Sequence, residues 1–376
     1  MTPDQDPFFW LLLHRLPGLS DGRLRRLAQM NADSGPEQWL SWPRGRFAAL
    51  GFGEPTQQAV ADWQRRGSSC AAAKAAQRDL AALAGLGAQL LHLRHPAYPA
   101  LLLEIPDPPP CLYVLGDIDL LAQPQLAIVG SRTPTRQGLA DAEAFAGDLA
   151  RAGFIVTSGL AYGIDAAAHR SALAAPGKSV AVLGSGLDVV YPAAHRALAR
   201  DVSENGALVS ELPLGAPPRA AHFPRRNRVI SGLCLGVLVV EAALQSGSLV
   251  TARLALEQNR EVFALPGSIH NPSSRGCNVL IRGGAKLVLD VQDMLEELRG
   301  WCGPAVEPAP RRETAPVDLS AEEALVLGAV GYELTPLDLI ASALDQALPD
   351  LLAALGELEL KGLVENCAGA WRRHVS

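Results

Sequence analysis

Short apolar runs rich in Val, Ile and Leu recur through the middle of the chain, at residues 126–129, 155–158, 179–183, 207–210, 237–241, 261–264 and 286–289. Between them lie stretches with helical patterning, such as 138–152 and 248–259. Runs of this length, apolar at successive rather than alternate positions, fit strands buried on both faces. Strand alternating with helix predicts a parallel sheet with helices packed on each side. The expected fold is therefore α/β, an extended Rossmann-like doubly wound parallel sheet over residues 89–300.

The flanks read differently. Residues 1–88 are helical: Leu11 to Leu16 lead into Pro17-Gly18-Leu19-Ser20, and Leu24 and Leu27 then recur at helical spacing. A second such turn, Leu50-Gly51-Phe52-Gly53, precedes Thr56, the expected N-cap of a helix over 57–66. Two helix–hairpin–helix-like units result, whose turn amides either hold a phosphate or serve packing alone. Residues 98–110 are proline-rich and expected to be extended. A Pro/Glu/Arg/Ala-rich linker, 301–316, leads to a small module over 317–376. There, a helix over 318–329, Thr335 as the next N-cap, an amphipathic helix over 348–360 and a wing near Leu363-Val364 give the order of a winged helix. Its recognition helix is rich in Leu and poor in Lys and Arg, which points to protein contact at least as much as to DNA.

A chain of 376 residues with 48% hydrophobic and 19% charged residues can bury a sizeable core. The formal net charge of -6 does not suggest nucleic acid, yet the segment 219–228 carries four arginines and no acid. Cys70, Cys111, Cys234, Cys277, Cys302 and Cys367 show no C-x-x-C spacing, so neither a metal site nor a disulfide framework is expected. The start lacks the basic segment of a signal peptide, and the longest apolar run, 233–244, holds Glu241 and is too short to span a bilayer. A cytoplasmic protein without a membrane partner is expected.

In an open parallel sheet, ligands bind beyond the carboxyl ends of the strands. Small residues follow one strand after another here. Gly130-Ser131-Arg132 offers a close turn, a hydroxyl and a guanidinium that can grip a phosphate. Ser158-Gly159 follows the next strand, ahead of Asp165 and His169, whose i, i+4 spacing suits either acid–base chemistry or a local hydrogen bond. Gly184-Ser185-Gly186 follows the third and lacks the dinucleotide fingerprint, so no nucleotide cofactor is expected. Ser246-Gly247-Ser248 opens a later helix, and Leu265-Pro266-Gly267-Ser268 follows the next strand. The strongest patch is 222–228: Phe223 supplies a flat surface for a base, Arg225 and Arg228 supply charge, and Asn227 an amide. The same patch also reads as a basic helix start that forms surface ion pairs.

In this order the motifs resemble the DprA/Smf family. The resemblance runs through Ile128-Val129-Gly130-Ser131-Arg132, Ser158-Gly159-Leu160-Ala161, Leu183-Gly184-Ser185-Gly186-Leu187-Asp188 with Tyr191-Pro192, and Phe223-Pro224-Arg225-Arg226-Asn227-Arg228. It continues through Val239-Val240-Glu241-Ala242, Ser246-Gly247-Ser248-Leu249 and Gly276-Cys277-Asn278, and covers about 90–295. It implies binding of single-stranded DNA, homodimerisation, loading of the RecA recombinase and a role in natural transformation. It also implies a sterile-alpha-motif-like or helix–hairpin–helix N-terminal domain, and assigns Arg132 to the phosphate pocket and Arg225 and Arg228 to the basic segment. A lysine often found after Tyr191-Pro192 is replaced by Ala193 and Ala194, with His195 and Arg196 nearby.

Two other readings compete. A nucleotide phosphoribohydrolase would share the fold, but its Pro-Gly-Gly-x-Gly-Thr loop and following Glu are absent, so no enzyme is expected. A pure interaction scaffold would bind no nucleic acid at all.

Overall fold

The computed structural model describes residues 6–31, 33–300, 319–332, 334–344 and 346–373. Two compact units divide the chain, one ending at Ala309 and the other starting at Pro310. The expected linker and Cys302 lie outside the described residues.

The first unit opens with α1 (Pro7–His14), α2 (Asp21–Met30), α3 (Pro36–Leu40), α4 (Arg44–Ala49), α5 (Glu54–Arg66) and α6 (Ala71–Leu86). The α5 helix starts before Thr56, because Pro55 presets the first turn and Gly53 is the N-cap. Thr56 is buried, and its hydroxyl donates to the Pro17 carbonyl, tying the two hairpins together. These helices do not bury their own core alone. Trp10, Leu24, Trp39 and Phe47 belong to one cluster with Leu90, Tyr113, Ala181 and Leu208 of the sheet.

The sheet follows as β1 (Ala88–His92), α7 (Ala100–Leu103), β2 (Cys111–Gly116), β3 (Gln125–Val129), α8 (Arg136–Arg151), β4 (Ile155–Ser158), α9 (Ile164–Ala174), β5 (Ser179–Val182), α10 (Arg196–Asn205) and β6 (Ala207–Ser210). It continues with α11 (His222–Leu233), β7 (Gly236–Val239), α12 (Ser248–Glu257), β8 (Glu261–Ala264), α13 (Arg275–Arg282), β9 (Lys286–Leu287) and α14 (Val291–Glu297). The nine strands run in the order β1-β2-β6-β5-β4-β3-β7-β8-β9. From β6 to β9 all neighbours are parallel. The expected parallel sheet is thus extended at one edge by β1 and β2, which pair antiparallel. Those two strands, and α7 inside the stretch expected to be extended, were not anticipated. They lie among prolines and beside a helical run, where the strand–helix rhythm is absent.

Side chains alternate between the faces. Leu126 and Ile128 pack with α8 and α9, whereas Ala127 and Val129 pack with α11 and α12. The chain moves from β3 outward to β6, then crosses back to β7 on the other side of β3. The switch point therefore lies between the carboxyl ends of β3 and its neighbours, where an open α/β sheet leaves a crevice.

In the second unit, α15 (Ala321–Ala329), β10 (Thr335–Pro336), α16 (Leu337–Leu344), α17 (Leu348–Leu360), β11 (Val364–Cys367) and β12 (Ala370–Arg373) form a winged helix. Thr335 lies two residues before the start of α16 and pairs with Trp371 in the small sheet. Among the described residues no single helix is long and apolar enough to cross a membrane.

Close approach in the sheet supplies a stability test. A Cβ on Gly206 would lie 1.9 Å from the Ser179 carbonyl oxygen, a backbone atom that cannot step aside. Gly206→Ala is expected to cost about 2 kcal/mol or more in urea denaturation. Gly45→Ala, which meets nothing within 4 Å, serves as the control. Equal midpoints for both variants would refute the strand spacing.

Candidate nucleic-acid interface

A cleft of about 780 Å³ opens at the switch point. The β3 turn contributes Gly130, Ser131 and Arg132, and the approach to α12 contributes Gln245, Ser246, Gly247 and Ser248. Gly130 is needed because Ile164 and the Glu241 carbonyl crowd it: a Cβ there would sit 2.7 Å from Ile164 Cγ1. Ser131 turns the chain, its Oγ accepting from the Thr133 amide at 3.2 Å. Arg132 is exposed and, among the described residues, makes no ion pair; its Cζ lies 5.9 Å from the Phe223 ring centroid. At α12 the Ser246 and Ser248 hydroxyls meet at 2.7 Å, and the first helix amides turn inward: Ser248 donates to Ser246 Oγ, Leu249 to the Ser246 carbonyl and Val250 to the Gly247 carbonyl. Helix N-termini carry partial positive charge and favour anions.

The third wall is α11, and its helical phase sorts the basic patch. Phe223, Arg226, Asn227 and Ile230 line the cleft, at i, i+3, i+4 and i+7. Arg225 and Arg228 fall on another side. Arg225 pairs with Asp21 of α2, and with Glu211 at 3.3 Å. Arg228 is buried against Glu211 and lies 3.3 Å from Asp107. Neither lines the cleft. The sequence expects Arg225 and Arg228 to grip a strand beside Phe223; in the structure the linear motif spans two faces of one helix, and carboxylates hold both groups outside this cleft. Asp21 is held below the usual carboxylate range. Burial pushes it up, but His14 and Arg225 outweigh that.

Arg226, which sequence reading passed over, is buried in the cleft floor. Its guanidinium donates to the Gly159 carbonyl at 2.7 Å and to that of Val182. Burial lowers its pKa to about 10; Asp165 opposes the shift and Arg132 adds to it. Period-3.6 counting from Phe223 would have found it.

Of the remaining expected residues, Asp165 lines the cleft and the others lie behind its wall. Ser158 Oγ donates to the Ile128 carbonyl at 2.6 Å, and Gly159 is the carbonyl under Arg226. Gly184 lies beneath Phe223, where a Cβ would come within 2.9 Å of the ring. Ser185 is buried and donates to Val189, and Gly186 packs on the Pro213 carbonyl. The Asp165–His169 spacing resolves into two local contacts. Asp165 accepts from the Gly159 and Ala161 amides at 3.1 and 3.3 Å, and His169 Nδ1 meets Ser179 Oγ at 2.7 Å. His195 is buried on the Leu160 carbonyl, and neither it nor the exposed Arg196 lines the cleft. Glu241 is also engaged, accepting from the Thr135 amide at 3.0 Å and from its hydroxyl.

Fold and cleft together define a Rossmann-like protein with an arginine-lined crevice at its switch point. Comparison with known proteins narrows the class. The family model for DNA recombination-mediator protein A matches residues 89–299, and that for the DprA winged helix domain matches 308–370. Protein Smf of Escherichia coli is 47% identical over 283 residues, covering 73% of this chain and 75% of its own length. The structure of DNA processing protein A from Streptococcus pneumoniae superposes with a TM-score of 0.65 at 36% identity, over 78% of this chain and 98% of that one. A structure of the Helicobacter pylori protein, described for its single-stranded DNA binding mode, gives 0.51 at 29% identity, over 57% and 96%. The chain belongs to the DprA/Smf family of DNA-processing proteins.

His169 provides a pH test. Burial, with Arg226, His195 and Arg170 nearby, lowers its pKa to about 3. The unfolded chain takes up a proton near pH 6.5, which the folded protein refuses until about pH 3. Stability should therefore fall as pH drops through that window, by up to about 1.4 kcal/mol per pH unit from this group. His169→Asn keeps a donor toward Ser179 without the titration, and its urea midpoint should fall less steeply between pH 7 and 4. Parallel curves would contradict the assignment.

Proposed function

We propose that this protein binds single-stranded DNA in the switch-point cleft. The observation that carries the reading is the convergence of Arg132, free of carboxylates among the described residues, with the N-terminus of α12 on one crevice. Phosphates of a flexible strand fit such a seat: a guanidinium supplies charge, and the helix N-terminus adds partial positive charge without sequence preference. Duplex DNA suits it less, because its bases are stacked away from the cleft. Membership of the family and the single-strand binding described for the H. pylori relative support the same conclusion. On the family resemblance, the protein further acts as a homodimer that protects incoming DNA and loads RecA during natural transformation. In this reading the site comprises Gly130, Ser131, Arg132, Phe223, Asn227, Ser246, Gly247 and Ser248, with Arg226 setting the floor. Ser158, Gly159, Gly184, Ser185 and Gly186 support it from behind, while Arg225 and Arg228 hold α11 against α2 and β6.

Filter binding to oligo(dT) over a salt series tests this. Arg132→Ala should weaken binding about tenfold at low salt and flatten the log–log salt slope by about 0.7, the loss of one phosphate. Arg225→Ala should leave that slope unchanged. A hairpin duplex should compete poorly. An unaltered Arg132→Ala curve, or a slope lost only with Arg225, would remove the cleft as the DNA site.

A further inference from the structure

Phe223 is the aromatic residue that the sequence offers as a base platform, but its ring already has neighbours. Gly184 underlies it so closely that a Cβ would reach two ring carbons at 2.9 Å, and the Arg132 guanidinium stands 5.9 Å from its centroid. Phe223 is only partly exposed. Tyr191 lines the same cleft, 5.6 Å from Phe223 with the rings tilted by 50°, and is 49% exposed. Of the two rings, Tyr191 offers the larger open surface.

We propose that Tyr191 is the surface on which a base of the bound strand stacks, and that Phe223 is a positioning residue that holds Arg132 toward the phosphates. This rests on the single-strand reading above and divides its two recognition tasks between two rings. A guanidinium beside an aromatic ring is attracted by the ring's quadrupole, so Phe223 narrows the positions open to a long, otherwise mobile side chain. A tyrosine ring presents a flat amphipathic surface and loses little rotamer freedom when it is covered. Every base has a π-face, so Tyr191 would accept purines and pyrimidines alike while rejecting a strand that lacks bases. The ligand class at this subsite is the base itself. At Arg132 and α12 it is the phosphodiester.

The test compares oligo(dT) with an abasic deoxyribose-phosphate oligomer of equal length, each titrated over salt. The unmodified protein should bind oligo(dT) about tenfold more tightly, the order of one stacked base. Tyr191→Ala should abolish that ratio and keep the salt slope. Tyr191→Phe and Tyr191→Trp should retain the ratio, because the aromatic face is what matters. Phe223→Leu should weaken both polymers alike and flatten the slope, because Arg132 loses its perch. The proposal is overturned if Tyr191→Ala keeps the wild-type ratio, if Tyr191→Phe loses it as alanine does, or if Phe223→Leu removes the base preference alone. Failure of the underlying reading looks different: the unmodified protein would then bind neither polymer at low salt.

Discussion

A guanidinium is buried at the carboxyl ends of two neighbouring parallel strands, where backbone carbonyls would otherwise face α11 without donors. Arg226 meets the carbonyls of Gly159 and Val182, each just beyond or at the end of its strand. Burying a charge is costly unless it is well bonded, so the arrangement persists only with α11 in one rotational setting. That setting determines the rest of the site. With Arg226 pointing in, Phe223, Asn227 and Ile230 must line the cleft, and Arg225 and Arg228 must turn away toward carboxylates. The N-terminal helices take part in this, because Asp21 of α2 receives Arg225. A linear run of arginines is thereby divided between a structural network and a ligand-facing wall.

Electrostatics then favour an anion at one edge of the crevice. Glu211, Asp21 and Asp107 neutralise the arginines on the far side of α11. Glu241 is held by Thr135 and Asp165 by two amides, so the carboxylates near the cleft are already bonded. Arg132 remains without an ion pair among the described residues, and the start of α12 adds partial positive charge. A chain with a formal net charge of -6 can thus present a cationic crevice, since location rather than total sets the local field.

The sequence revealed the parallel strands well, because each is a short apolar run bounded by small residues. The turn Gly130-Ser131-Arg132 and the helix start Ser246-Gly247-Ser248 were legible for the same reason: small residues mark close backbone approach. Four things were not legible. The antiparallel pair β1 and β2 carries no strand–helix rhythm. The orientation of α11 needs its helical period, and counting consecutive arginines hides it. Thr56 and Thr335 have the chemistry of N-caps, but Pro55 starts one helix earlier and pairing with Trp371 draws the other into a strand. Tyr191 stood inside a recognised motif, yet only the folded chain brings it beside Phe223.

The most direct measurement is a crystal structure with a short oligo(dT) bound. The account predicts a phosphate between the Arg132 guanidinium and the start of α12, with Arg226 still on the Gly159 and Val182 carbonyls and the Asp21–Arg225 pair intact. A strand lying instead along Arg225 and Arg228, with their carboxylate partners displaced, would contradict it.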